Sequence, residues 1–132
     1  MQEITLRNRQ RRRRINRPLL ARLLRCLIES RLGRRDCELA FHLLSARAMA
    51  ELNWRHLRHP GSTDVITFPY SDPAGMEPLV GDVFICIDEA VAQAATFKTT
   101  WQSELVRYAV HAVLHLQGHD DLEPARRRTM KR

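Results

Sequence analysis

Apolar residues recur every three or four positions in several stretches of the chain, which is typical of amphipathic helices. Such stretches predict helices over about residues 17–32, after the candidate N-cap Ser45, over residues 88–97, over residues 101–117, and over a short basic segment that begins at Asp121. Gly33 is expected to end the first helix, because glycine readily adopts the left-handed conformation that follows many helix ends. Thr99 or Thr100 is expected to cap the fourth helix.

Four other stretches are rich in β-branched residues or alternate between apolar and polar positions. They predict strands over residues 3–6, 37–44, 64–68 and 80–87. Residues 71–78 contain a glycine and two prolines, so they are expected to form a loop. Strands interleaved with helices indicate a layered domain of the α/β or α+β class.

The size and composition of the chain restrict its class. Its 132 residues predict one domain over residues 1–132. No apolar run approaches the ~20 residues that a membrane-spanning helix needs, and the N-terminus has no signal-peptide pattern. We therefore expect a cytoplasmic protein without membrane contact. Cys26, Cys37 and Cys86 have no paired spacing and are expected to be buried free thiols.

Arginines are concentrated in a short segment after the first predicted strand. The chain has 22 Lys and Arg against 15 Asp and Glu, and its net charge is +7. The candidate RNA-binding residues are Arg9, Arg11, Arg12, Arg13 and Arg14, which we call the arginine segment. Guanidinium groups form paired hydrogen bonds with phosphate oxygens, so this segment indicates nucleic-acid binding. The alternative is a solvated basic face that serves solubility.

The most informative pattern lies at the end of the fourth predicted helix. His111 and His115 are four residues apart, so their imidazoles lie on one helical face and can converge on one ion. Gly118 is expected to break the helix and let the chain reverse, so that Asp121 supplies a third ligand. Three protein ligands leave a fourth position for water, which is the catalytic rather than the structural arrangement of zinc.

Alternatives to this ligand set remain open on the sequence alone. His119 is the rival third ligand, although it follows Gly118 too closely to reach back easily. Asp120 is better placed to accept a hydrogen bond from a ligand or to form the turn. The helix is apolar nearly all round, which predicts that it is buried, and buried histidines are often hydrogen-bonded core residues.

The same residues resemble the YbeY family of bacterial ribosomal-RNA maturation endoribonucleases. The family signature H-G-x-L-H-L-x-G-[YH]-D-[HD] corresponds to residues 111–121. Leu52-Asn53 followed by residues 63–69 resembles the family motif L-N…T-D-V-[LI]-[ST]-F-P. Residues 81–85 resemble the family's G-D-I-x-I strand, and residues 4–10 resemble the opening of one branch of the family.

The resemblance implies a zincin-like α+β fold, in which a small mixed sheet of about four strands packs with helices and the metal-binding helix lies near the C-terminus. It also implies one zinc ion per chain and cleavage of single-stranded RNA. The expected partners are ribosomal RNA and the small ribosomal subunit or its precursors, in small-subunit RNA maturation and ribosome quality control.

The chain departs from the family pattern at three positions. Asp121 stands where many relatives carry histidine, and Ala112 replaces a common glycine. Leu57 aligns with an arginine of many relatives and is flanked by Arg55 and Arg58.

These observations lead to three hypotheses. The first is a metal-dependent endoribonuclease in which His111 and His115 hold the catalytic ion and Arg58 stabilises charge on the phosphate. The second is a zincin peptidase, which is disfavoured because position 112 lacks the glutamate of the H-E-x-x-H motif. The third is a non-catalytic, metal-containing ribosome-assembly factor. The sequence leaves the oligomeric state open.

Overall fold

The computed structural model describes residues 1–74 and 77–118. In these ranges the elements are β1 (Gln2–Asn8), α1 (Arg17–Leu32), β2 (Cys37–Leu44), α2 (Ala46–Leu57), β3 (Val65–Pro69), β4 (Leu79–Cys86), α3 (Ile87–Phe97) and α4 (Trp101–Leu116). All four predicted strands are confirmed, and so are the four helices predicted before residue 118, with small differences at their ends. The short helix predicted from Asp121 lies outside the described residues. Within the described ranges, no helix combines the length and apolar character needed to cross a membrane.

Local hydrogen bonds explain where the helices begin and end. Ser45 Oγ accepts a hydrogen bond from the Ala48 N–H at 3.2 Å and caps α2 as predicted. Thr100 Oγ1 accepts from the Ser103 N–H at 3.1 Å, so Thr100 rather than Thr99 caps α4. Gly33 follows α1 with φ 60°, a backbone conformation that side chains with a Cβ rarely adopt.

The four strands form one mixed sheet in the order β1-β2-β4-β3. β2 is parallel to both β1 and β4, whereas β3 is antiparallel to β4, with Thr67 opposite Val83. β1 and β3 are therefore the two edges of the sheet. This arrangement confirms the predicted α+β class with a small mixed sheet of four strands in the part of the chain that the structure describes.

Apolar layers cover both faces of the sheet. The larger core lies between one face and helices α1, α3 and α4, and its fully buried residues include Ile28, Phe41, Val83 and Val113. A smaller core lies between the other face and α2, and consists of Leu44, Met49, Ile66 and Cys86. Because burial of apolar surface is the main stabilising contribution to folding, α4 is held against the sheet by its apolar face.

The expectation that α4 is buried on all sides is wrong. Leu105, Tyr108, Ala112 and Leu116 face the core, whereas Ser103, Arg107, His111 and His115 form an exposed row at four-residue spacing. The sheet and the neighbouring helices cover one side of α4 only, so apolar residues on its other side reach solvent. The two histidines therefore lie at the surface of the domain.

The prediction for the cysteines is confirmed at two positions and wrong at the third. Cys37 and Cys86 are buried, and burial raises the pKa of both thiols. Cys26 is exposed because α1 buries the stripe formed by Leu20, Leu24 and Ile28, and position 26 lies on the opposite side of the helix.

Tyr108 places a hydroxyl group in the larger core. Its side chain is 2% exposed, and among the described residues the hydroxyl has no hydrogen-bond partner. Burial, assisted by the negative charges of Asp64 and Glu104, raises the pKa of Tyr108 to about 12. An unfolded tyrosine ionises near pH ~10, whereas the folded protein keeps the proton to higher pH. The contribution of this proton to the free energy of unfolding therefore has its full value below pH ~10 and is lost as the pH rises through the folded pKa.

We expect Tyr108→Phe to raise the free energy of unfolding by about 1 kcal/mol at neutral pH, because it removes a buried hydroxyl without a partner. The variant should also lose less stability than the parent protein as the pH rises from about 9.5 to about 11.5. Urea unfolding followed by circular dichroism at several pH values measures both effects. Equal alkaline losses in the two proteins would contradict the assignment of this proton to Tyr108.

Candidate metal and active site

A cavity of about 500 Å³ lies between α4, the edge strand β3 and the loop that follows α2. α4 contributes His111, Ala112 and His115, and β3 contributes residues 65–67. The other wall comes from α2 and its loop, with Asn53, Leu57, His59, Thr63 and Asp64. Polar and apolar groups thus share the surface of one open cavity beside the exposed row of α4.

His111 and His115 enter this cavity from the same side of α4. One helical turn separates them, which is ~6 Å of rise along the axis. The Nδ1 atom of His115 lies 2.7 Å from Thr67 Oγ1, so the Nε2 atom of that ring is left for another partner. Imidazole nitrogens are common zinc ligands, and the two rings are placed to supply two of them. Their role as metal ligands stays a prediction.

The predicted third ligand, Asp121, lies outside the described residues, as do its rival His119 and the neighbouring Asp120. Gly118 ends the turn after α4 with φ 97°, and its N–H donates to the His115 carbonyl at 3.0 Å. Within residues 1–74 and 77–118, no three His, Cys, Asp or Glu side chains are grouped to hold a metal ion. A third ligand from the residues beyond Gly118 stays a prediction.

Asn53 shapes the wall opposite the histidines. Its buried side chain donates from Nδ2 to the Gly61 carbonyl at 3.0 Å. The backbone carbonyl of Asn53 accepts a hydrogen bond from the His59 N–H at 3.4 Å. These two bonds hold the loop that carries His59 and Thr63 into the cavity. The Leu52-Asn53 pair of the sequence motif thus has a structural role, since Leu52 packs against the smaller core.

The structure brings Leu57, rather than Arg58, to the cavity wall. Leu57 is 46% exposed and lines the cavity. Arg58 follows α2 with a left-handed backbone (φ 56°), and its guanidinium carbon lies 5.8 Å from the centre of the Trp54 ring. Among the described residues that line the cavity there is no arginine. The catalytic role of Arg58 stays a prediction, without a cavity contact in this structure.

The arginine segment follows β1 and lies beside the end of β2 and the start of α3, since the Arg9 N–H donates to the Leu43 carbonyl at 2.9 Å and Arg12 Nε is 3.9 Å from Asp88 Oδ1. Arg9, Arg11, Arg12 and Arg14 are exposed and Arg13 is half-buried. Gln10 holds the segment in place, because its side chain donates to the Arg13 carbonyl at 2.9 Å and accepts from the Arg13 N–H at 3.0 Å. Arg9 also lines a small cavity together with residues of α2, among them Glu51 and Arg55. The role of the segment in RNA binding stays a prediction.

Sequence reasoning missed the contribution of β3 to the cavity. The sequence predicts Thr67 only as a strand residue within the motif of residues 63–69. The alternation of side chains could have identified it, since Ile66 packs in the smaller core against α2 and its neighbours Val65 and Thr67 must then face α4. Asp64 was also missed, and its Oδ1 accepts from the Val65 N–H at 2.7 Å at the cavity rim.

Comparison with known proteins identifies the family of this chain. The family model described as Endoribonuclease YbeY matches residues 5–132. Endoribonuclease YbeY of Chlorobium luteolum is 36% identical over 119 residues, which are 90% of this chain and 84% of that protein. Endoribonuclease YbeY of Anaeromyxobacter sp. strain Fw109-5 is 41% identical over 101 residues, which are 76% of this chain but 53% of that protein.

The chain thus spans about half of the length of the Anaeromyxobacter relatives that it matches. The solution structure of TM1509 from Thermotoga maritima resembles this fold with a TM-score of 0.62 at 26% identity, and the match covers 95% of this chain and 78% of that one. Since the family model extends over nearly the whole sequence, the chain belongs to the endoribonuclease YbeY family.

Proposed function

We propose that this protein is a zinc-dependent endoribonuclease that cleaves single-stranded RNA during maturation of small-subunit ribosomal RNA. The observation that carries the proposal is the placement of His111 and His115, which enter a cavity of about 500 Å³ from one exposed side of α4. Its relatives named Endoribonuclease YbeY support the class of reaction. We place this activity in the cytoplasm, on the small ribosomal subunit or its precursors and in ribosome quality control.

The donor set of the site suits a zinc ion. Thr67 engages Nδ1 of His115 and leaves Nε2 available, and His111 lies one turn away on the same side of the helix. With Asp121 as the proposed third ligand, three protein ligands would leave an open position, as in catalytic zinc sites. When bound, the ion supplies a Lewis acid that favours negative charge on a phosphoryl oxygen.

The walls of the cavity supply the groups that would hold the RNA. The loop fixed by Asn53 presents the imidazole of His59, which can donate a hydrogen bond to a phosphate oxygen. The hydroxyl of Thr63 in the same loop donates to Asp64 Oδ1 at 3.4 Å. Leu57 and Val65 add apolar surface beside them. A cavity of about 500 Å³ is of the size that encloses a small ligand such as one nucleotide. Unpaired bases can be splayed out into such a cavity, which favours single strands over duplexes.

The arginine segment is proposed to hold flanking nucleotides. Its exposed guanidinium groups, with Arg9 beside α2 and Arg12 beside the start of α3, can contact phosphates without reading bases. The net charge of +7 would concentrate RNA near the protein at low ionic strength. The role proposed for Arg58 requires its guanidinium to leave the Trp54 ring and turn toward the cavity.

A non-catalytic ribosome-assembly factor that contains a metal ion is the second candidate. Leu57 favours it, because an apolar side chain occupies the cavity wall at the position that aligns with an arginine of many relatives. A zincin peptidase is disfavoured by Ala112, which is 1% exposed and offers no carboxylate to act as a base.

The test uses the purified full chain loaded with zinc, a labelled single-stranded RNA and the same RNA annealed into a duplex, in the presence of ribonuclease inhibitors. We expect cleavage of the single strand, loss of cleavage on zinc chelation and recovery when zinc is restored. His111→Ala should show no cleavage, whereas His56→Ala removes an exposed histidine outside the described cavity lining and should keep it.

The outcomes separate the candidates. Equal traces of cleavage by the parent protein and by His111→Ala would contradict the nuclease and support the assembly factor. Cleavage that persists after complete removal of the metal would contradict metal dependence. Hydrolysis of a peptide library that depends on zinc would support the peptidase instead.

A further inference from the structure

Thr67 forms a polar contact between the edge strand and the proposed metal helix. Its Oγ1 lies 2.7 Å from Nδ1 of His115, which follows it by 48 residues in the sequence. The strand register explains this placement, because Ile66 packs in the smaller core and directs the next side chain toward α4. The contact lies at the cavity wall, where Thr67 and His115 are both lining residues.

The contact matters because an imidazole ring has two nitrogens with different roles. A neutral ring carries its proton on one nitrogen and has a lone pair on the other, and a metal ion binds only the lone pair. If Nδ1–H donates to Thr67 Oγ1, the lone pair is on Nε2 and the ring is held in one orientation. Outer hydrogen-bond partners of this kind set both the tautomer and the direction of histidine ligands.

We propose that Thr67 is a positioning residue that fixes the tautomer and orientation of His115 for metal binding. The inference rests on the proposed function, since it assigns His115 to the metal ion. The hydroxyl is not needed to hold the strand, because β3 pairs with β4 along its whole length, from Val65 opposite Ile85 to Pro69 opposite Gly81. α4 in turn is anchored by residues such as Val113 and Leu116, which are fully buried.

The test compares Thr67→Val, which keeps the shape of the side chain without the hydroxyl, with Thr67→Ser, which keeps the hydroxyl. Zinc affinity is measured by competition with a chromophoric chelator. We expect Thr67→Val to weaken zinc binding by about 10–100-fold, whereas Thr67→Ser stays within about threefold of the parent protein. Thr5→Val is the matched control, because Thr5 is exposed on β1 at the opposite edge of the sheet.

A spectroscopic readout tests the hydrogen bond without metal. Ring ¹⁵N chemical shifts of the zinc-free protein report which nitrogen of His115 carries the proton. We expect the Nδ1–H tautomer in the parent protein and in Thr67→Ser, and a mixture of tautomers in Thr67→Val. A parent protein in the Nε2–H tautomer would overturn the inference.

The inference and the proposed function fail in different ways. A parent protein that binds no zinc would contradict both. Zinc binding by the parent protein together with unchanged affinity in Thr67→Val would overturn the role of Thr67 alone and leave the proposed nuclease intact. Equal losses of zinc affinity in Thr67→Val and Thr67→Ser would show that packing rather than the hydroxyl is responsible. That result would also overturn the role of Thr67.

Discussion

His115→Ala is expected to abolish both zinc binding and RNA cleavage. The substitution removes one of the two imidazoles that α4 presents to the cavity and the partner of Thr67. Zinc affinity should fall by more than the ~10–100-fold that follows loss of an outer hydrogen-bond partner. Cleavage of single-stranded RNA should fall at least about 10³-fold, which corresponds to about 4 kcal/mol of transition-state stabilisation. Elemental analysis and a labelled-RNA assay measure the two effects.

The control for this substitution is His56→Ala. His56 is also exposed, packs edge-on against Phe68 with 5.4 Å between ring centres, and is not among the described residues that line the cavity. We expect this variant to contain as much zinc as the parent protein and to cleave RNA at the same rate. Because His115 is exposed, its removal should change the stability of the zinc-free protein by less than about 1 kcal/mol. Undiminished cleavage by zinc-free His115→Ala would refute the metal centre.

Gly81→Ala is expected to destabilise the domain and weaken the metal site together. A Cβ at position 81 would lie 2.8 Å from Leu116 Cδ2 and 3.1 Å from the Phe68 carbonyl oxygen. Leu116 is fully buried and Phe68 O belongs to the backbone of β3, so neither can move without disturbing its neighbours. Overpacking of this kind costs about 1–3 kcal/mol. Because Leu116 follows His115 directly, zinc affinity should fall as well.

A double-mutant cycle identifies the cause of this loss. Leu116→Ala is destabilising by itself by about 2–5 kcal/mol, because it leaves a cavity in the larger core. If the clash with Leu116 is responsible, Gly81→Ala should cost less in the Leu116→Ala background than in the parent protein. Thermal and urea unfolding of the four proteins give the coupling energy. Additive losses would show that the strain comes from the Phe68 carbonyl or from the strand itself.

Most secondary structure could be predicted because it depends on residues close in sequence. α2 begins after Ser45, whose side chain caps the helix, and α1 ends at Gly33, which adopts a positive φ. Ile87 is a position at which the local pattern does not predict the correct element. The pattern predicts it as the last residue of a strand, but it is the first residue of α3. A buried isoleucine fits either element, so its local pattern does not separate them.

The exposure of individual side chains could be predicted less well. α4 and α1 both carry apolar residues on more than one side, and the pattern alone does not tell which of them will be covered. Val106 is 39% exposed on α4, and Cys26 is exposed on α1, because the sheet covers only one stripe of each helix. The same limit led to the wrong expectation that α4 is buried on all sides.

The sequence by itself determined that His111 and His115 share one face, because residues four apart on an α-helix do so whatever the helix packs against. Only the tertiary structure decided that this face is open, that Thr67 is the partner of His115 from 48 residues away, and that the arginine segment lies beside α2 and the start of α3. These features depend on the order of the strands and on how α4 packs against them, and such packing brings together residues that no local pattern connects.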